Sequence, residues 1–304
     1  RARAGRARPG APLPGGALQV LAAMPIRWGL AARVEELRGA DGYDAELLYS
    51  SLVRCVRTAA DRRLLRDSGL FSLVAGHITS GTVFQRVLIL RLLLRYEADP
   101  ICHQEIALEC GFLRLGLVEG LPKAACGLLG VLRQPAADED VLRIAWEEAR
   151  CWVHVLLMLS SDSGIVDSFG LMVVAAMRPD GEEFANESDR LTAFAAPNVF
   201  AGLLSLAHTI ALHMSELCAM PSDIAFCWQV AARLVGIPDF AAAFCCHADN
   251  LRHLQWMLGR VIEGASTEEQ LHAFRVAHQL AASGALGAAL RGALPAGAGL
   301  ARSR

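Results

Sequence analysis

The chain has 304 residues and a mass of 32.6 kDa, with 54% hydrophobic residues, 20% charged residues and a mean hydropathy of +0.35. A chain this apolar can bury enough surface to offset its ordering entropy, which excludes disorder over most of its length. The formal net charge is −2, and residues 34–304 carry 23 basic against 31 acidic side chains, which excludes a cationic nucleic-acid-binding body.

Ala and Leu dominate while aromatics make up only 6%, so helices are favoured over strands. No segment sustains a period-2 alternation, and the expectation is an all-α protein without a sheet. Residues 1–25 are rich in Arg, Pro and Gly and are expected to be disordered, as are residues 295–304. The helical body is then residues 26–294. The first residue is not Met, which allows the chain to be a segment of a longer protein.

In chain order, residues 44–58 place Leu48, Leu52 and Cys55 on one face and Ser50, Arg54 and Arg57 on the other. Residues 83–96 are more apolar throughout and read as a more buried helix. Asp99-Pro100 is an N-cap followed by Pro at the first helical position, opening a helix that ends at Gly111. Asp138 caps a long helix to about Leu159, with a polar stripe of Arg143, Glu147, Arg150 and His154. Pro221 starts a helix through Val235. Ser266-Thr267-Glu268-Glu269 is a capping box opening a helix to Ala282.

One signature recurs: an acid, a small residue or cysteine, Gly, then two apolar residues and a polar one. It occurs around Gly69, Gly111 and Gly164, with fainter traces at Asn198, Gly236 and Gly284. Gly can end a helix in the left-handed conformation, and the apolar residues after it mark one face of the next helix. Each copy therefore reads as helix, Gly corner, helix, with an average spacing near 43 residues.

The runs Asp61–Ile78, Gln85–Leu94 and Ile101–Leu121 resemble armadillo repeats, clearly over residues 44–175 and thinly beyond. The resemblance implies a right-handed α-solenoid of about six irregular repeats. It also implies that the helices after the glycines line a concave groove that takes an extended peptide or a helix of a protein partner. Importin-type grooves carry Trp and Asn ladders, whereas Trp28, Trp146, Trp152, Trp228 and Trp256 all fall outside the helices that would line the groove here, so nuclear-localisation-signal binding is not expected. Equivalent polar positions three residues after the glycines are Ser72, Arg114 and Asp167, expected to form a column that binds a protein partner, flanked by His77 and Glu119.

Charge is uneven: residues 54–95 hold eight Arg and two acids, and residues 138–190 hold twelve acids and four Arg. Such a gradient orients a charged partner, or it is two solvated helix faces. Nine cysteines scattered through apolar runs read as buried free thiols in a reducing compartment, hence a cytoplasmic protein. The longest stretch without Asp, Glu, Lys or Arg is Leu191–Ser215, which Pro197-Asn198, His208 and His213 interrupt. A membrane span needs ~20 apolar residues, so no membrane insertion is expected.

Catalytic and metal motifs are sparse. Phosphate-binding, dinucleotide-binding, serine-hydrolase, zinc-protease and C-x-x-C patterns are absent. Cys245-Cys246-His247 with Asp249, Asn250 and His253 lacks the two separated ligand pairs of a structural zinc site. Cys151 and His154 have helical i, i+3 spacing but no orienting acid. The expectation is a non-enzymatic interaction scaffold with no metal and no cofactor. The alternative is a regulatory or scaffolding segment of a larger enzyme, such as a protein kinase or ubiquitin ligase, whose catalytic domain lies outside this chain.

Overall fold

The computed structural model describes residues 26–134, 138–176, 198–263 and 266–287. The segments expected to be disordered, 1–25 and 295–304, lie outside the described residues, as does the expected boundary at residue 294. Every regular element among the described residues is helical, and none is a strand.

The chain runs through α1 (Ile26–Leu37), α2 (Gly42–Cys55), α3 (Ala59–Asp67), α4 (Leu70–Ser80) and α5 (Val83–Leu94). Next come α6 (Pro100–Gln104), a π-helical turn Glu105–Glu109, α7 (Phe112–Leu115), a second π-helical turn Gly116–Gly120 and α8 (Leu121–Leu132). After these follow α9 (Glu139–Leu159), α10 (Ser163–Ala176), α11 (Ala201–Leu212), α12 (Pro221–Leu234), α13 (Pro238–Cys246), α14 (Ala248–Glu263) and α15 (Thr267–Ala282).

Local chemistry sets these boundaries. The capping box at Ser266 forms: Glu269 N–H donates to Ser266 Oγ at 3.3 Å, and Ser266 N–H donates to Glu269 Oε2 at 2.9 Å. Asp138 Oδ1 accepts from Asp140 N–H at 2.8 Å and opens α9. A capping box not read from the sequence starts α3, where Thr58 and Asp61 exchange the same two bonds. Asp99 precedes α6 but makes no side-chain cap bond; Pro100 at the first helical position sets that start alone.

The glycine corners divide into two kinds. Gly69 and Gly111 hold φ of 77° and 70°, and Gly284 holds 73° after α15. These are left-handed corners, as the signature implies. Gly164 differs: it lies inside the first turn of α10 with an ordinary φ, and its N–H donates to Asp162 Oδ1 at 2.8 Å. Asp162 supplies this start by a side-chain acceptor, so no left-handed residue is needed. Asn198 and Gly236 also have ordinary backbone angles.

Packing sets five helices side by side. α2 packs on α5, α5 on α9, α9 on α12 and α12 on α15. Beside this row, α8 packs on α9 and α11, and α11 on α12 and α14. α9 and α12 run parallel, because their contacts advance together: Arg150 to Asp223, His154 to Phe226, Leu157 to Arg233. α2 and α5 also run parallel, since Glu46 meets Thr82 near one end while Val56 and Leu94 share a cleft at the other.

One continuous hydrophobic core extends from Leu30 to Leu280. Trp152, Trp228, Tyr49 and Tyr96 are its largest fully buried side chains. The 21-residue helical stretch Phe112–Leu132 is long and apolar enough to cross a bilayer, although Arg114, Glu119 and Lys123 interrupt it; it packs against α9 and α11.

Candidate protein-binding surface

The five expected surface residues occupy three different settings. Ser72, on the first turn of α4, is exposed and lies against Cys110, the residue before the next glycine corner. Arg114, in the equivalent turn after Gly111, is exposed and makes no ion pair among the described residues. Asp167 is also exposed, but it sits on α10, which packs on the π-helical turn Glu105–Glu109 ahead of Gly111 and on α12. Ser72 and Arg114 thus hold equivalent positions after a left-handed glycine, while Asp167 follows Gly164, which is not such a corner.

His77 is half-buried, and its Nδ1 lies 2.8 Å from Tyr49 Oη across the α2–α4 boundary. Burial lowers the His77 pKa, and burial drives the Tyr49 phenol up. Glu119 is exposed at the rim of a small cleft shared with Arg86, Lys123 and Trp152.

The row of five helices carries its own polar connections. Thr82 Oγ1 donates to Glu46 Oε1 at 2.6 Å between α2 and α5. Between α5 and α9, Arg91 Nη2 donates to Glu147 Oε1 at 2.8 Å, and Arg86 grips Glu148 with two donors, Nη2 to Oε2 measuring 3.2 Å. Between α9 and α12, Arg150 Nε donates to Asp223 Oδ1 at 3.0 Å. Three members of the polar stripe Arg143, Glu147, Arg150 and His154 therefore meet neighbouring helices, while Arg143 pairs with Asp140 on α9 itself.

The sequence reading did not identify the exposed apolar residues that these same adjacent helices carry. Tyr43 and Leu47 lie on α2, Val83 and Phe84 on α5, Val141 on α9, Met220 just ahead of α12, and Leu271 and Phe274 on α15. These are eight of the eleven large hydrophobic side chains exposed among the described residues. In sequence they look like ordinary members of amphipathic helices; only the side-by-side packing assembles them.

At the C-terminal ends of these helices lie two polar clefts. One, of about 670 Å³, is lined by Arg54, Val56, Arg57, Arg62, Leu94, Arg95, Glu97 and Ala98. The other, of about 290 Å³, lies between the C-terminal ends of α9 and α12 and contains Ser160, Ser161, Ser163, Asp167 and Arg233.

The thiol and imidazole candidates for chemistry sit in surroundings that shift their proton affinities. Burial and the adjacent Glu147 carboxylate push the Cys151 thiol up to about 12, the opposite of an activated nucleophile. His154, with its pKa lowered by burial, rests edge-on against Phe226 with ring centres 5.1 Å apart. In the Cys245–His253 segment, Cys245 is buried, Cys246 is exposed, and Asn250 is bonded to Asn198 at 3.0 Å. Among the described residues no three His, Cys, Asp or Glu side chains are placed to hold a metal ion.

No protein-family model matches the chain, and no curated protein matches it. Among solved structures the chain is similar to the crystal structure of an engineered protein, a target of the Northeast Structural Genomics Consortium. The similarity covers 84% of this chain and 97% of that one at 14% identity, with a TM-score of 0.41, too low to carry an argument about the fold.

Proposed function

We propose that the chain is a non-enzymatic protein-interaction scaffold, built as an armadillo-like right-handed α-solenoid and working in the cytoplasm. The observation that carries this reading is the set of large exposed apolar side chains on the adjacent helices α2, α5, α9 and α15 and just ahead of α12. Single exposed hydrophobics are ordinary on a soluble surface, and eight of them on neighbouring helices suit a protein interface. The serial packing of those helices and the left-handed corners at Gly69 and Gly111 support the solenoid. All nine cysteines are free thiols, which supports a reducing compartment.

The test uses immobilised chain to capture proteins from native extract, followed by mass-spectrometric identification. Phe84→Asp with Phe274→Asp should abolish capture of the specific partner while circular dichroism stays helical. Arg114→Glu and Asp167→Arg should weaken the same capture, most at low salt where screening is least. If no partner is enriched over a denatured control, the scaffold reading fails. If the partner survives the two Phe substitutions, these apolar side chains are not its surface.

A further inference from the structure

We propose that the cleft between the C-terminal ends of α2 and α5 binds an acidic peptide, whose carboxylate or phosphate groups are taken by Arg54, Arg57, Arg62 and Arg95. The choice of a peptide rests on the scaffold reading; the anionic chemistry rests on the cleft itself.

Four arginines and one carboxylate, Glu97, line a space of about 670 Å³. That volume falls within the range of ~300–1,000 Å³ typical of ligand sites and far exceeds what one small anion fills. Val56, Leu94 and Ala98 give the same cleft apolar wall, suited to the aliphatic parts of a peptide rather than to a bare anion.

These arginines stand apart from the others of their basic segment. Arg66 pairs with Asp67, Arg86 with Glu148 and Arg91 with Glu147. So the acidic segment that begins at Asp138 neutralises two arginines of α5 but none in the cleft. Arg54, Arg57, Arg62 and Arg95 form no ion pair among the described residues.

A helix C-terminus favours cations through its carbonyls, and this accounts for part of the arrangement. Arg54 Nε donates to the Ser50 carbonyl at 3.3 Å, and Arg57 Nε to the Arg54 carbonyl at 3.3 Å. Such bonds fix the guanidinium groups while leaving further N–H donors for a ligand, since each carries five. Arg62 is different. It belongs to α3 near its start, its carbonyl accepts from Tyr96 Oη at 3.2 Å, and its Nε is buried with no hydrogen-bond partner. Arg62 nonetheless lines the cleft.

The second cleft serves as an internal comparison. It occupies the same place between α9 and α12, yet holds one arginine, Arg233, already bonded to the Leu157 carbonyl and Ser160 Oγ. Helix packing alone thus does not demand four unpaired arginines at such a site.

The experiment measures fluorescence anisotropy of the full chain with three labelled short peptides of one length: Glu-rich, phosphoserine-bearing and Gln-substituted. The Glu-rich or the phosphoserine peptide should bind, and the one that binds tighter identifies the anion. The Gln peptide should not bind. Arg57→Glu with Arg95→Glu should weaken binding about tenfold or more, whereas Arg252→Glu, the same type of charge change on α14, should leave it within about twofold. Should the double variant unfold, phenylglyoxal labelling of the unaltered chain replaces it: bound peptide should protect Arg54, Arg57, Arg62 and Arg95 from modification.

Equal binding of the Gln peptide, equal loss from Arg252→Glu, or unprotected cleft arginines would each overturn the proposal. Tighter binding of a single-stranded oligonucleotide of matched charge would also overturn it, because the cleft would then read charge on a nucleic acid. Loss of the partner held by the exposed apolar side chains leaves these measurements intact, so the two readings fail separately.

Discussion

The indole of Trp152 occupies the space that a side chain at Gly120 would need. Trp152 projects from α9 and is 1% exposed, and Gly120 closes the π-helical turn between α7 and α8. One turn back, a Cβ at Gly116 would lie 2.9 Å from Leu156 Cδ2 and 3.0 Å from Trp152 Cζ3. Two glycines four residues apart thus leave backbone bare where α9 crosses it. Gly120→Ala should overpack this contact and cost about 1–3 kcal/mol. The variant should melt at a lower temperature, and adding Trp152→Leu should change stability by less than the sum of the single effects. An unchanged melt for Gly120→Ala would show that the ring moves aside freely.

Gly111 and Gly127 separate backbone strain from packing. Neither has any atom within 4 Å of an added Cβ, but Gly111 holds φ of 70° while Gly127 lies inside α8 with an ordinary angle. Gly111→Val should therefore cost about 1–2 kcal/mol through left-handed strain. Gly127→Ala should be neutral or stabilising by up to about 1 kcal/mol through helix propensity. Thermal melts of the two variants moving in the same direction would contradict the assignment.

These corners also explain what could be read from the sequence. Gly69 and Gly111 were legible because a left-handed corner leaves a local signature of Gly followed by an apolar face. Gly164 shares that signature, yet Asp162 caps α10 from outside and the corner is absent; a six-residue pattern does not distinguish the two solutions. Helix starts at Pro221 and Ser266 were legible for the same local reason. The candidate surface was not. Whether Glu147 and Arg150 face water or a neighbouring helix depends on which helices pack side by side, and amphipathic periodicity carries no record of that. The same holds for Phe84 and Phe274, which are 190 residues apart in sequence and sit on helices that the serial packing of α5, α9, α12 and α15 brings into one layer.

The Arg86–Glu148 pair is the most buried ion pair along the helix row, with Glu148 5% exposed and Arg86 12% exposed at the side chain. Arg86 also donates to the Gly81 carbonyl at 2.7 Å, tying the start of α5 to α9. Arg86→Met would leave Glu148 as an unpaired buried charge, at a cost of about 3–5 kcal/mol. Arg86→Met with Glu148→Leu should recover most of that loss, because it removes both charges from the apolar seam. Chemical denaturation of the parent, each single variant and the double variant closes the cycle. A loss in the double variant equal to the sum of the two single losses would mean that the pair is not energetically coupled.

Five histidines make the fold acid-sensitive. Burial is the largest cause lowering the pKa of His77, His154, His208, His253 and His272. His208 sits 4.3 Å from the Trp256 ring centre and 5.5 Å from that of His253, and the positive Arg260 lowers its pKa further. In the unfolded chain these imidazoles take up a proton near pH ~6.5. In the folded chain they take it up only at lower pH, so the unfolded state binds more protons below that point. Their contribution is thus fully present above about pH 6.5 and is lost as pH falls through the lowered folded values. Glu105 works in the opposite direction, since burial raises its pKa, but it is one group against five. The melting temperature should therefore fall between about pH 7.5 and about pH 5.5. His208→Phe should keep the ring packing on Trp256 and reduce the fall. A melting temperature that is flat across this range, or a His208→Phe variant with the full parental fall, would show that these imidazoles are protonated in the folded state at little cost.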